Sequence, residues 1–117
     1  MPKLQQGSIV RVEACDPQGR NLKKRPVVVV HPTEKITPGE PFFCVAVTGE
    51  IPKDPPADCV LLPYQQGGHP RTGLRKRCAA MCPWLFEITE DQIIEYMGLV
   101  PKSQLEAILA SLRQPGN

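Results

Sequence analysis

A small, mainly β domain with one helix near its C-terminal end is the fold class the sequence predicts, on three observations. Short β-branched or alternating runs are separated by proline and glycine signals, a spacing that suits a small barrel or sandwich better than alternating strands and helices. The chain has 117 residues, room for one compact domain (residues 1–117) but not for two of usual size. Only near the end does a helical period replace the strand pattern. Proline, at 14 residues, is more than twice its average share of about 5%. With nine glycines the total still lies below the roughly 25–30% at which a chain reads as disordered, so the prolines punctuate a fold.

The first strand spans Ser8 to Glu13, where Val10 and Val12 alternate with Arg11 and Glu13, the period of a strand with one buried side. Asp16-Pro17-Gln18-Gly19 suits a type I turn, and polar residues continue to Arg25, which predicts a mobile loop of about ten residues. Pro26 opens a second strand, since a first residue need not donate to the ladder. Val27 to Val30 is β-branched throughout and reads as buried on both sides. Thr37-Pro38-Gly39-Glu40-Pro41 turns the chain into a strand from Phe42 to Val47, closed by Thr48-Gly49. Pro52, Pro55 and Pro56 interrupt regular structure before a short strand from Cys59 to Leu62. A long loop runs from Pro63 to Arg75.

Arg77 to Cys82 and Leu85 to Ile88 read as two extended pieces with Pro83 bending the chain between them. Thr89-Glu90-Asp91-Gln92 fits a capping box. Ile93 to Met97 fits helix or strand equally by periodicity. Pro101 suits a first helical turn, and Leu105, Ile108, Leu109 and Leu112 recur at i, i+3, i+4 and i+7, one side of a helix that ends near Arg113.

No apolar run approaches the roughly 20 residues of a membrane-spanning helix. The first residues, Met1 to Gly7, have neither the apolar core nor the cleavage site of a secretory signal. Cysteines are five, an odd number, and four lie in or beside apolar runs where a thiol packs as a small hydrophobe. A reducing cytoplasm is therefore the expected location, with no membrane association.

The formal charge is only +2, but it is unevenly spread. Residues 16–25 carry +3, through Arg20, Lys23, Lys24 and Arg25, and residues 69–77 carry +4, through Arg71, Arg75, Lys76 and Arg77; the rest of the chain carries −5. Two basic loops on a neutral-to-acidic body fit a phosphate-binding surface if the fold brings them together; otherwise each is a solvated loop. His69, in the Gly67-Gly68 loop, is a candidate phosphate contact or a solvated loop residue.

Arg25 precedes Pro26, which restricts it to extended backbone and fixes the point from which its guanidinium projects. Such a group grips phosphate with two parallel hydrogen bonds and stays charged. Thr48 offers a hydroxyl at a strand terminus. Each alone has an ordinary structural role available, a solvated arginine or a turn threonine. Cys78 and Cys82 are spaced C-x-x-x-C without a second pair or nearby histidine, so packing is their expected role and no metal or other cofactor is expected. Neither a catalytic carboxylate pair nor a glycine-rich nucleotide motif is evident. Trp84, after Pro83 in an apolar run, reads as core or interface.

Taken in order, the motifs resemble the MazF/PemK family of toxin endoribonucleases. Gly7-Ser8-Ile9-Val10-Arg11-Val12 is similar to the family's opening strand, Asp16-Pro17-Gln18-Gly19 to its D-P-x-x-G-like turn, and Arg25-Pro26-Val27-Val28-Val29-Val30 to its R-P-x-x-V segment. Thr48 stands where the family has a strand-closing threonine. Thr72-Gly73-Leu74 and Gly98-Leu99-Val100 resemble its G-L and final G-x-L elements. The resemblance implies a Src-homology-3-type β-barrel with a C-terminal helix at about residues 101–113, acting as a homodimer. It also implies sequence-selective, metal-independent cleavage of single-stranded RNA to cyclic phosphate and 5′-hydroxyl ends, with restraint by a cognate antitoxin.

In that reading Arg25 and Thr48 are catalytic, while Arg20, Lys23, Lys24, His69, Arg71, Arg75, Lys76 and Arg77 hold the RNA. Cys78 stands where the family commonly has serine. Pro83-Trp84-Leu85-Phe86-Glu87-Ile88 departs from the polar stretch that lines the family's RNA groove. Trp84 and Phe86 there either stack on bases or form a buried contact in a degenerate module that binds RNA or protein without cutting. A third alternative is a toxin that grips a topoisomerase, as a sister family of similar fold does.

Overall fold

Alternating valines set the architecture. The computed structural model describes residues 4–14, 23–49, 51, 53–54 and 59–113. It contains β1 (Ser8–Ala14), β2 (Lys23–Val29), β3 (Phe42–Thr48), β4 (Cys59–Leu62), β5 (Cys78–Ile88), β6 (Ile93–Leu99) and α1 (Lys102–Arg113). Single 3-10 turns lie at Thr33–Lys35 and Glu90–Gln92. The strands form one antiparallel sheet in the order β4-β5-β3-β2-β1-β6. The expected mainly β fold with a C-terminal helix is present. The barrel is open, since no ladder among the described residues joins β4 to β6.

Val27 to Val30 is buried throughout, as the unbroken β-branched run requires. Strand alternation sends these residues to two different cores. Val28 and Val30 pack with Ile9, Val45, Leu62 and Ile108 on the side covered by α1, here called the helix side. Val27 and Val29 pack with Val10, Val12, Phe42, Cys44 and Ile88 on the opposite side. The helical period is realised on α1, where Ile108 is fully buried and Leu105, Leu109 and Leu112 pack partly buried on the same core.

Four boundaries differ from the sequence expectations or resolve them. The polar segment is strand from Lys23 onward, because Lys23, Lys24 and Arg25 pair with Ala14, Glu13 and Val12 of β1; the Asp16–Gly19 turn and Arg20 lie outside the described residues. The two pieces around Pro83 are one bulged strand. Val45 of β3 pairs with Leu85 but Ala46 pairs with Met81, so residues 82–84 have no counterpart on β3. The β4 ladder stops at Met81, so Pro83 lies where its missing N–H costs no ladder bond. Ile93 to Met97 belongs to a strand, and pairing with β1 decides what periodicity left open. In the cap before it, the Thr89 N–H donates to Gln92 Oε1 at 2.8 Å, but the turn lasts only three residues before Ile93 returns to extended backbone.

Two glycines lock the Pro63–Arg75 segment onto β6. Gly73 has φ +72°, and a Cβ there would lie 2.3 Å from the Met97 carbonyl oxygen; a Cβ on Gly98 would lie 2.1 Å from that of Arg71. The Leu99 N–H donates to the Arg71 carbonyl at 2.8 Å. Thr72, wholly buried, donates its hydroxyl to the Pro63 carbonyl at 2.9 Å and accepts the Leu74 N–H at 3.1 Å. These contacts explain why the chain carries Thr-Gly-Leu in the loop and Gly-Leu in the strand.

Candidate nucleic-acid interface

Antiparallel pairing gathers both basic segments at one end of the sheet. β2 begins there with Lys23, Lys24 and Arg25, β3 ends there with Thr48, and β5 begins there after Arg75, Lys76 and Arg77. Thr48 pairs with Ala79. Beyond it, a Cβ built on Gly49 would lie 3.8 Å from the Arg77 carbonyl oxygen. The described part of the first basic segment, Lys23 to Arg25, therefore converges with Arg75 to Arg77 of the second.

Arg25 and Thr48 each lie two residues beyond the last pair of the β2–β3 ladder. The β2–β3 ladder pairs Val29 with Cys44, Val28 with Val45 and Val27 with Ala46. The ladder ends there; extended by two residues, the same register would bring Arg25 level with Thr48. Arg25 also stands opposite Val12, whose side chain is in the core away from the helix, so Arg25 and Thr48 share that side of the sheet. Both are half-buried.

The bulge in β5 adds the third member. The Arg25 guanidinium carbon lies 5.2 Å from the centre of the Trp84 ring, within the range of a cation–π contact worth about 0.5–1 kcal/mol where water has access. Phe86 is half-buried against the same core, which commits it to packing. Trp84 is the contact of Arg25 that the sequence did not mark. Their contact depends on a three-residue bulge opposite a strand about 40 positions earlier, which no local pattern encodes.

Lys24, next to Arg25 in the chain, faces the helix side. Together with Arg11, Arg75 and Lys76 it surrounds a cleft of about 480 Å³. Arg11 is the second residue the sequence reading missed, because an arginine alternating with valines reads only as the polar side of a strand. Its Nη1 lies 3.0 Å from Glu95 Oε1. Lys23 is exposed at the start of β2.

His69 and Arg71 stand apart from this group. His69 Nδ1 accepts the backbone N–H of Arg71 at 3.1 Å and of Thr72 at 3.2 Å, so the ring closes a turn of its own loop. Arg71 is exposed, with its backbone against Gly98 and Leu99, at the far end of β6 from Ile93.

Among the described residues the cysteines Cys44, Cys59, Cys78 and Cys82 are buried, as packing requires. Burial pushes the Cys44 thiol up to about 12. Cys78 is also raised by burial, but the nearby Lys76 charge opposes the shift. Among the described residues no group of three or more His, Cys, Asp or Glu side chains is arranged to hold a metal ion. None of the helices among them is long and apolar enough to cross a membrane.

Chemically, the Arg25–Thr48–Trp84 group offers a fixed cation, a hydroxyl and an aromatic surface.

The fold is that of small toxins of known structure. Over 96% of this chain and 94% of the other, it matches the crystal structure of MazF from Deinococcus radiodurans with a TM-score of 0.70 at 16% identity. An endoribonuclease in complex with its cognate antitoxin, from a Mycobacterial species, matches over 93% and 90% of the two chains, with TM-score 0.68 and 15% identity. Mycobacterium tuberculosis toxin MazF-mt6 matches over 88% and 91%, with TM-score 0.61 and 16% identity. Among curated proteins no sequence matches significantly. Residues 5–115 match the model of the PemK-like, MazF-like toxins of type II toxin–antitoxin systems, and the chain belongs to that family.

Proposed function

We propose that this protein is an endoribonuclease toxin that cleaves single-stranded RNA selectively at the Arg25–Thr48 site. The observation that supports the reading is that Arg25 and Thr48 lie on one side of the sheet, each two residues past the last β2–β3 pair, beside its basic end. The nucleophile is the substrate's own 2′-hydroxyl, which attacks the adjacent phosphorus and expels the 5′-oxygen of the next nucleotide. The products are a 2′,3′-cyclic phosphate and a free 5′-hydroxyl. No water has to be activated, so the proposed reaction is independent of metal.

Arg25 stabilises the charge that builds on the phosphoryl oxygens, and Thr48 helps move a proton at the attacking or leaving oxygen. Lys23 and Arg77, at the same end, draw in the RNA chain by charge. The toxin works as a cytoplasmic homodimer, and a cognate antitoxin silences it by covering the Arg25–Thr48 groove. Purified protein incubated with mixed single-stranded RNAs in EDTA tests this: the expected result is discrete cuts with cyclic-phosphate ends, and intact RNA or ends of another kind would overturn it.

The Trp84 contact favours one second reading. If the indole immobilises Arg25 as a structural cation, the groove binds RNA or a protein, a topoisomerase included, without turnover. Salt-sensitive RNA binding, or protein capture, with no cleavage distinguishes that case.

A further inference from the structure

We infer that the cleft on the helix side is a nucleotide-binding site separate from the Arg25–Thr48 group. Three features define its ligand. Its volume, about 480 Å³, lies in the usual range of small-molecule pockets, about 300–1,000 Å³. Its rim carries four cations, Arg11, Lys24, Arg75 and Lys76. Glu95 pairs with Arg11, and Glu13 is the strand partner of Lys24, so a surplus of positive charge remains. The walls are apolar: Leu74 is 3% exposed, and Pro26 and Met97 stand beside it.

A free phosphate satisfies the rim but leaves the walls unused. A ligand with a phosphate and a flat ring satisfies both, through charge-assisted hydrogen bonds at the rim and thioether and proline contacts on the ring. A nucleotide has that chemistry. It comes from one of two sources: a unit of an RNA chain that continues around the end of β2 from Arg25, or a free nucleotide.

Lys24 and Arg25 project to opposite sides of one strand, so the two sites are separately occupiable. The inference therefore does not rest on cleavage at Arg25. Its proper reporter is the Met97 methyl group, one of only three methionine signals in the chain, whereas the Trp84 indole reports on the other side.

Full-length protein labelled at methionine methyl groups is titrated with uridine 3′-monophosphate, with inorganic phosphate and with a short 2′-O-methyl oligonucleotide, which lacks the attacking hydroxyl. The expected result is a saturable Met97 shift with the nucleotide, at least tenfold tighter than with phosphate, and weakened at least tenfold in the Arg75→Gln/Lys76→Gln variant. Both changed residues are exposed, and an unchanged thermal midpoint separates lost binding from lost folding. An oligonucleotide that moves Met97 and Trp84 together at one stoichiometry identifies the RNA chain as the source. A mononucleotide that binds as tightly as the oligonucleotide identifies the free ligand. If the oligonucleotide shifts Met97 while Trp84 stays fixed, the nucleotide site stands and the RNA groove at Arg25 fails. A Met97 signal unmoved by nucleotide and oligonucleotide, or one that phosphate moves at equal concentration, overturns the inference.

Discussion

Lys24 and Arg25 are neighbours in the chain and face opposite sides of the sheet, in different surroundings. Arg25 lies among hydrophobic strand residues beside an indole ring, whereas Lys24 lies at the rim of a cleft shared with three other cations. One concentrates its effect in a single oriented contact; the other contributes to a collective field. A count of basic residues cannot tell these roles apart, because it sums across the pleat of the strand. Strand alternation, rather than proximity in sequence, sets the surroundings of each cation.

The sharpest break between the two sides is a pair of alanine variants. Arg25→Ala should lower RNA cleavage on the order of 100-fold or more, as loss of an oriented charge-stabilising donor does, with little salt dependence in the loss. Lys24→Ala should instead weaken RNA binding mildly and reduce the log–log salt slope by about 0.7, the share of one phosphate contact on a single strand. Cleavage rates and binding isotherms across a salt series distinguish the two patterns.

Gly98→Ala tests whether the cleft can be disturbed by itself. The new Cβ would meet the Arg71 and Thr72 backbone, so the loop that delivers Arg75 and Lys76 must move. We expect a loss of about 1–3 kcal/mol in chemical denaturation, with the Met97 environment altered more than that of Trp84.

The thiols provide a contrast in pH. Cys44, in the core on the Arg25 side, titrates near 12 when folded and near 9 when unfolded. Its contribution to stability is therefore complete below pH 9 and declines as pH rises toward 12, because the unfolded chain loses the proton first. The slope is about 1.4 kcal/mol per pH unit in that window, and Cys44→Ala should show a correspondingly flatter denaturation profile above pH 9. Cys78, with Lys76 working against its burial, should contribute a weaker slope.

The smallest effect concerns Trp84. Replacing it by alanine removes a contact of about 0.5–1 kcal/mol and should lower kcat by twofold to fivefold, whereas Trp84→Phe retains a ring and most of the rate. Equal losses in both variants would assign Trp84 to packing.

The sequence was most legible where pattern is local. The β-branched run at Val27, the Cys59–Leu62 strand and the period of α1 needed nothing beyond neighbours, and the ordered motifs gave the family. Lys23 to Arg25 read as loop because polar residues hide a strand whose partner is β1. Ile93 to Met97 stayed open until β1 supplied pairing. Arg25 and Thr48 could be nominated separately, yet their juxtaposition rests on a register. The cleft combines residues from β1, β2, β5, β6 and a loop, so no window of sequence contains it.

The glycine lock on β6 has a consequence for self-association. β6 lies at one border of the sheet, where unpaired backbone groups invite another strand to add. At Leu99 the loop has already taken the donor, through the Arg71 carbonyl. Copies of the chain are thus denied that part of the border as a template for fibrillar stacking, and a partner arriving there meets side chains and loop instead of open backbone.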